Sequence, residues 1–203
     1  MDAAFAVFGE AGLAAARLED IAKRAGVSKG TIYLYFPNKE ALFEEMVREM
    51  VISQIERAEL RFAAGDPDTQ LREYYRALWS TLRSPIFETM HRLMMCEIRS
   101  FPHLAEFYVR EVVQRTLRLA TSIIRRGVEL GEFRDADPDV GARMAHALFV
   151  QNAVWAANRT QFAQLTDSRD DVLLDQMTEF VLHALRSPSA LSSEPDATGA
   201  GLL

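Results

Sequence analysis

Cationic, hydroxyl and aromatic side chains are concentrated in residues 18–36, which read LEDIAKRAGVSKGTIYLYF. Ile32 and Phe36 are four residues apart, so on a helix they share one face, and this spacing predicts that both face the core. Lys29 and Tyr33 then lie on other faces. A lysine neutralises phosphate or reads guanine, and a tyrosine hydroxyl donates a hydrogen bond to phosphate. A short helix that exposes such groups is suited to the major groove of DNA.

Two short helices joined by a tight turn are predicted to position these residues. We expect the helices at Leu18–Ala25 and Lys29–Phe36. Gly26 supplies the left-handed residue of the turn, Val27 is expected to pack beneath the turn, and Ser28 is expected to cap the second helix. This is the helix-turn-helix pattern.

Spacing alone leaves a second interpretation open. In that interpretation the segment is a plain helical hairpin, and Tyr33 and Tyr35 are half-buried packing residues. Helix-turn-helix patterns also occur in proteins that do not bind DNA, so the spacing does not distinguish the two interpretations.

The residues themselves are more specific than their spacing. The run from Phe5 to Phe43, which includes LEDIAKRAGVSKGTIYLYFPNKEALF, closely resembles the DNA-binding domain of the TetR family of transcriptional regulators. The stretch FETMHRLMMCEIRSFPHLAEFYVREVV, followed by RRGVELGEFR, resembles the C-terminal domain of AcrR-type members. The resemblance implies a homodimeric regulator, usually a repressor. Its N-terminal three-helix unit would bind double-stranded operator DNA, and its C-terminal helical domain would dimerise and bind a small-molecule effector.

The resemblance also implies a set of DNA-binding residues. Carried over by position, they are Arg17, Ser28, Lys29, Gly30, Thr31, Tyr33, Tyr35 and Lys39. Lys39 matches a residue that usually meets phosphate. Arg17 stands where the family usually has a threonine that caps the second helix, so we expect the helix start to be weaker by about 1 kcal/mol, with the guanidinium available for a phosphate. The family also normally carries a basic arm and several first-helix residues upstream of the position of Asp2, so either the start is shortened here or some phosphate contacts are absent.

An all-α fold of about nine helices is predicted for the rest of the chain. Prolines separate long stretches with helical apolar spacing, and signals for strands and hairpins are poor. The predicted helices are Asp2–Ala11, Leu18–Ala25, Lys29–Phe36, Lys39–Ala64, Asp68–Leu82, Ile86–Arg99, His103–Leu130, Asp139–Leu165 and Arg169–Arg186. We expect Asn38 to cap the fourth helix, Gly131 to end the seventh and Asp137 to start the eighth. We predict a DNA-binding domain at 1–44, an effector-binding and dimerisation domain at 45–187 and a disordered tail at 188–203.

Composition limits the classes of protein that remain. The 203 residues carry a net charge of −6, which excludes a wholly basic nucleic-acid binder but allows a local basic face. Residues 40–59 hold six glutamates against two arginines, so any DNA contact is expected before residue 40. Cys96 is the single cysteine, which excludes an intrachain disulfide. No apolar run reaches the ~18 residues of a membrane span and no secretory signal is evident, so we expect a cytoplasmic protein.

Methionine and aromatic residues of the middle helices are candidates for an effector pocket. The candidate ligand-binding residues are Met50, Trp79, Met90, His91, Met94, Phe107 and Trp155. Such side chains adapt to varied apolar ligands, and a few polar groups would orient the ligand. The alternative is ordinary core packing, and the sequence does not separate the two because cores and pockets use the same residues.

The last two predicted helices are apolar or small over much of their circumference. A surface helix needs only one apolar stripe, so two broad stripes favour packing against a second copy of the chain. The candidate interface residues are Leu148, Trp155, Leu173, Met177, Phe180, Val181 and Ala184. The alternative is a buried position within a monomer.

Two other functions are weaker alternatives. One is a small-molecule-binding helical protein that has lost DNA binding, which the absent arm and the lost cap would allow. The other is an all-helical enzyme, for which only His91 and Glu97 are available. The spacings of His91, Cys96 and His103 put no two of them on one helical face, so no metal site is predicted, and we expect neither a cofactor nor catalysis.

Overall fold

The computed structural model describes residues 1–62, 65–97, 99–165 and 169–187. The predicted disordered tail, 188–203, lies outside these residues. Among the described residues every regular element is a helix, and Phe133 and Arg186 form an isolated β-bridge. The prediction of an all-α fold of about nine helices is confirmed.

Most helices begin and end close to the predicted positions, but the first ends four residues later than predicted, at Ala15 instead of Ala11, and the eighth ends earlier. The first three are α1 (Asp2–Ala15), α2 (Leu18–Ala25) and α3 (Lys29–Tyr35). Helix α4 runs through Lys39–Val47, a π-helical turn at Arg48–Ile52 and Ser53–Arg61. Helices α5 (Pro67–Leu82) and α6 (Pro85–Glu97) follow, and α7 runs through Pro102–Tyr108, a π-helical turn at Val109–Val113 and Gln114–Glu129. The last two are α8 (Pro138–Ala157) and α9 (Asp170–Leu185), with a short 3₁₀ turn at Ala163–Leu165 between them.

Short polar side chains and glycines set several helix ends. The Ser28 side chain accepts a hydrogen bond from Thr31 N, and the Asn38 side chain accepts one from Ala41 N, at the starts of α3 and α4. Asp137 does the same for α8. Gly26 and Gly131 have φ values of 71° and 76°, in the left-handed region that favours glycine, and they follow α2 and α7. These predicted caps and stops are confirmed.

Helix α8 ends eight residues earlier than the sequence predicts, at Ala157 instead of Leu165. The next residue, Asn158, turns its side-chain amide back to donate to Val154 O at 2.8 Å. Asn152 makes the same contact with Leu148 O at 2.9 Å within α8, where the helix continues, so this bond accompanies the end of α8 and does not by itself cause it.

The first of two compact units contains residues 1–63 and 80–116. Its core includes Phe8 and Phe43, whose rings meet edge to face with centroids 5.7 Å apart. Leu93 of α6 and Leu104 of α7 are fully buried in the same cluster. This core fixes the positions of α1 and α4, between which the helix-turn-helix segment lies in the chain.

The second unit contains residues 64–79 and 117–203. In its core the Tyr75 ring stacks flat on the Phe149 ring at 4.6 Å. Asp68, in the first turn of α5, pairs with Arg72 at 2.7 Å and with Arg186 at 2.9 Å, so carboxylate–guanidinium contacts join α5 to the end of α9. Of the helices described in either unit, none is both long and apolar enough to cross a membrane.

Candidate nucleic-acid interface

The buried sides of α2 and α3 hold the candidate interface in place. Ile21 and Ala22 of α2 and Ile32 of α3 are all at most 7% exposed, and Phe36 is half-buried. Val27 does not pack beneath the turn as predicted: its side chain is 42% exposed, and Val27 contributes to the turn through its backbone N–H, which donates to Ala22 O at 3.0 Å.

The opposite side of α3 is exposed and carries hydroxyl and aromatic groups. Tyr33 is 44% and Tyr35 70% exposed, so Tyr35 is not the half-buried packing residue of the hairpin interpretation, while Tyr33 is only moderately exposed. Thr31 is exposed, and its hydroxyl oxygen lies 2.8 Å from that of Ser28. A methyl group on Gly30 would have Ser28 Oγ, 3.8 Å away, as its nearest neighbour, so the backbone of α3 is open to an approaching molecule at this residue. Leu34, 80% exposed, is an apolar member of this surface that sequence reasoning missed.

One carboxylate contacts three of the candidate DNA-binding residues. Glu19 Oε1 lies 2.8 Å from Lys29 Nζ and accepts a hydrogen bond from the Tyr33 hydroxyl at 3.2 Å. Glu19 Oε2 lies 3.8 Å from Arg17 Nε. The hydrogen bond from Lys29 lowers the pKa of Glu19 to about 2, so this carboxylate is ionised at neutral pH. The same contact raises the pKa of Lys29.

Sequence reasoning did not find Glu19, because it lies in α2 and Lys29 lies in α3. Helical periodicity pairs residues within a helix and does not reach across the turn. We name the group formed by the half-buried Glu19 and the exposed Lys29, Tyr33, Leu34 and Tyr35 the recognition surface.

The two other predicted phosphate contacts differ from each other. The Arg17 side chain is 72% exposed, and among the described residues it makes no capping hydrogen bond to α2, as expected. Lys39 is directed elsewhere: its Nζ donates to Ala14 O at 2.6 Å and Ala16 O at 3.4 Å, and it lies 5.7 Å from the centroid of the Phe101 ring. In this arrangement Lys39 binds the carbonyl end of α1, and its contact with phosphate stays a prediction.

The candidate effector residues are divided between the two units. Met90, Met94 and Phe107 are at most 3% exposed in the core of the first unit, and Met50 packs against that core. His91, also in the first unit, is half-buried and stacks on the Phe87 ring at 5.4 Å, and burial lowers its pKa.

The second unit holds the two remaining effector candidates. Trp79 is 5% exposed and packs edge to face on Phe149, and Trp155 is half-buried. The predicted pocket therefore stays a prediction.

The candidate dimer residues also separate into two groups. Met177 and Val181 are 5% and 7% exposed, so they lie in the core of their own chain. Phe180 is 70% exposed and Ala184 is exposed. The half-buried members are Leu148, Trp155 and Leu173.

Glu97 and Cys96 were considered above for catalysis and for a metal site, respectively, and their surroundings differ. Glu97 accepts hydrogen bonds from two backbone N–H groups of α1. Cys96 is an exposed free thiol. In the described ranges, no three histidine, cysteine, aspartate or glutamate side chains come together as metal ligands.

A hairpin of two short helices whose inner face is buried, and whose second helix exposes cationic, hydroxyl and aromatic groups, defines a helix-turn-helix DNA-binding protein. Comparison with known proteins agrees. Residues 1–46 match the profile of bacterial regulatory proteins of the TetR family, and residues 69–186 match the C-terminal domain of AefR-like transcriptional repressors. The chain belongs to the TetR family of transcriptional regulators.

Individual relatives and a solved structure are consistent with this assignment. The HTH-type transcriptional regulator YhgD of Bacillus subtilis is 29% identical over 155 residues, which cover 74% of this chain and 78% of that protein. The regulator AcrR of Shigella flexneri is 36% identical over 128 residues, which cover 59% of this chain and 55% of AcrR. The crystal structure of FadR from Bacillus subtilis, in complex with stearoyl-CoA, superposes with a TM-score of 0.72 at 24% identity, covering 90% of this chain and 96% of FadR.

Proposed function

We propose that this TetR-family regulator is a homodimeric repressor that binds operator DNA through α3 and is released by a small apolar effector. The DNA-binding domain is residues 1–44, and residues 45–187 bind the effector and dimerise. The single observation that carries the DNA-binding role is the exposure of the recognition surface while Ile32 anchors α3 from behind. A helix held in this way presents its first residues to base edges and its hydroxyls to phosphates.

Individual contacts follow from the chemistry of each side chain. Lys29 reads guanine or neutralises a phosphate, Thr31 and Tyr33 donate to phosphate, and Tyr35 touches thymine methyl groups. Gly30 lets the backbone of α3 come close to the groove. Arg17, at the start of α2, adds a charged phosphate contact.

The proposed dimer uses the exposed residues of α8 and α9. An open groove along α9 is lined by Asp175, Gln176, Glu179, Phe180, His183 and Arg186. Phe180 stands in this groove, and Met144 on α8 is a second large apolar side chain exposed to solvent, at 69%. A two-fold dimer pairs one apolar patch with its copy, and it matches the two half-sites of a palindromic operator.

Two buried polar atoms of the second unit support effector binding there. The Tyr75 hydroxyl and His146 Nδ1 have no hydrogen-bond partner among the described residues. Such atoms nearly always have a partner in folded proteins, in the form of protein, water or ligand. Burial lowers the pKa of His146, so its imidazole is neutral at neutral pH. A hydroxyl or a carbonyl of an otherwise apolar effector would supply a hydrogen-bond partner to either atom.

Release from DNA follows from a shift between dimer geometries. An operator holds two recognition helices about 34–36 Å apart, one turn of DNA. An effector that prefers another geometry lowers operator affinity, and by reciprocity the operator weakens effector binding by the same factor. Helix α4 transmits the change of geometry to the DNA-binding helices, because it starts at Lys39 and enters the core at Met46. This function involves no catalysis and places the protein in the cytoplasm, where the DNA is.

In vitro selection from a random pool of DNA duplexes, followed by footprinting, tests this proposal. The purified chain should enrich a two-fold symmetric sequence with half-sites about 10–10.5 base pairs apart, centre to centre, or a multiple of this. A chain that enriches no sequence would instead favour a helical ligand-binding protein without DNA binding.

A further inference from the structure

Helix α1 is interrupted one turn before its end. Gly12 has φ 78° and ψ 164°, which is not a helical conformation, and α1 resumes after it as far as Ala15. Because the break starts a new helical turn, the backbone N–H groups that follow it lack the usual carbonyl four residues earlier and need another acceptor.

That acceptor comes from the far end of α6. Glu97, the last residue of α6, accepts two hydrogen bonds: Leu13 N donates to Oε1 at 2.9 Å, and Ala14 N donates to Oε2 at 2.6 Å. Both carboxylate oxygens are therefore used on adjacent N–H groups, and ionised acceptors give the stronger class of hydrogen bond. A Cβ at Gly12 would lie 2.6 Å from Glu97 Oε1, so the missing side chain leaves room for this contact.

A second contact between the same two helices lies one turn earlier on α6. The Arg92 guanidinium donates to Gly9 O at 2.6 Å. A Cβ at Gly9 would meet Thr89 Cγ2 at 3.4 Å, so the backbone of α1 approaches α6 closely here. We name Arg92 and Glu97, with the backbone groups of α1 that they bind, the α1–α6 clasp.

The clasp adjoins the DNA-binding helices along the chain. The segment that Glu97 holds also offers its carbonyls to Lys39, the first residue of α4, through Ala14 O and Ala16 O. Leu18, which starts α2, is four residues beyond Ala14. The same short segment is thus bound by α6 through its N–H groups and by α4 through its carbonyl groups.

We propose that Glu97 is a positioning residue for DNA binding: it fixes the end of α1 to α6 and so sets the orientation in which α2 and α3 are presented. Glu97 touches no DNA in this role. It acts through the backbone of Leu13 and Ala14, and any movement of α6 is passed to the helix-turn-helix through these two hydrogen bonds. The inference rests on the proposed function, since orientation matters here only if α3 binds an operator.

The test compares Glu97→Gln with Glu88→Gln. Both variants remove one carboxylate from α6, but Glu88 is exposed on the same helix. In Glu97→Gln the side-chain NH₂ replaces one acceptor and faces a backbone N–H, so the clasp has one hydrogen bond fewer. Arg92→Gln removes the other contact of the clasp and is a second variant in case Glu97→Gln folds poorly, which thermal melting followed by circular dichroism would reveal.

Two readouts are needed, and the first uses no DNA. Amide hydrogen exchange should be faster at Leu13 and Ala14 in Glu97→Gln than in wild type or Glu88→Gln. The second is the affinity for the selected operator and for operators whose half-sites are moved by one base pair, measured well below the melting temperature. For Glu97→Gln we expect operator affinity to fall by about tenfold, or about 1.4 kcal/mol, and the discrimination between spacings to shrink, while affinity for random duplex stays within about twofold.

Each result bears on a defined part of the inference. A merely structural role would lower the melting temperature and reduce binding to all duplexes alike, with the spacing preference intact, and that result would overturn the proposal. Unchanged amide exchange would show that the clasp is not formed in solution. If wild type itself selects no sequence, the proposed function fails and this role fails with it, whereas selection by wild type with an unaltered spacing profile in Glu97→Gln and Arg92→Gln overturns only the role of the clasp.

Discussion

Replacing Gly30 by alanine should make the protein more stable and weaken its binding to DNA. Gly30 is the second residue of α3 after the Ser28 cap, and its φ is not positive, so alanine adopts this conformation without strain. The added methyl group would have Ser28 Oγ at 3.8 Å as its nearest neighbour, which is ordinary van der Waals contact. Glycine in a helix is about 0.5–1 kcal/mol less favourable than alanine, so Gly30→Ala should gain stability toward the lower end of that range.

The same methyl group would stand between the α3 backbone and the groove. If the backbone approaches DNA at Gly30, as proposed, the operator complex should weaken by about 1–3 kcal/mol, the range for disrupting one specific interaction in the groove. Urea unfolding gives the stability and fluorescence anisotropy gives the affinity for the selected operator. Gly141→Ala in α8 is the matched control, because its Cβ would make only ordinary contacts at 3.6 and 3.7 Å, and it should leave operator affinity unchanged. Wild-type operator affinity in Gly30→Ala would refute the close approach of α3 to the groove.

Three further predictions concern charge and association. Glu19→Gln should strengthen binding to random-sequence duplex more than binding to the operator, because Lys29 loses its carboxylate partner, whereas Glu10→Gln, which releases Arg24 from a 2.7 Å pair, should leave this ratio unchanged. A ratio unaffected by Glu19→Gln would contradict a role for this carboxylate. Phe180→Glu should give monomers by light scattering with an unaltered circular dichroism spectrum, and Leu130→Glu, at a residue 60% exposed, should stay dimeric. Persistent Phe180→Glu dimers at micromolar concentration would exclude this surface. Since burial lowers the pKa of His146, the unfolded state binds more protons, and the free energy of unfolding should fall as the pH decreases through about 6.5. His146→Gln should flatten this pH dependence in urea titrations. If the free energy of unfolding changes with pH equally in variant and wild type, His146 does not cause the dependence.

Local signals are sufficient where a residue acts on its own neighbours. The sequence predicts Ser28, Asn38 and Asp137 as caps because a cap binds backbone N–H groups two or three residues on, and the structure has all three. The end of α8 is not predictable in this way, because Asn152 and Asn158 make the same side-chain bond to the carbonyl four residues earlier, and the helix continues past one and ends at the other.

Long-range pairings leave no comparable local signal. Glu97 binds backbone groups of residues 13 and 14, more than eighty positions away, and backbone N–H groups have no signature in the sequence. Glu19 and Lys29 lie in different helices, and they form an ion pair because the turn at Gly26 brings these helices together. Both pairings depend on how helices pack, which apolar periodicity does not specify.

Apolar periodicity also cannot assign the faces of α9. It marks Met177, Phe180 and Val181 alike as apolar, yet the chain buries Met177 and Val181 and leaves Phe180 70% exposed. Which apolar face meets the core depends on the neighbouring helices, and only the remaining exposed face is available to a partner.

The salt dependence of operator binding in Lys29→Ala shows whether the exposed face of α3 contacts DNA. The control is Lys23→Ala, which removes the same charge from an exposed lysine of α2 that is not a predicted DNA-binding residue. The slope of log K against log salt concentration falls by about 0.9 for each phosphate that the protein no longer neutralises, and the preference for one base falls if Lys29 reads that base. We expect Lys29→Ala to show a shallower slope or relaxed sequence preference, with at least about tenfold weaker operator binding, and Lys23→Ala to match wild type. Identical slopes, sequence preferences and affinities for Lys29→Ala and wild type would contradict a contact between the exposed face of α3 and DNA.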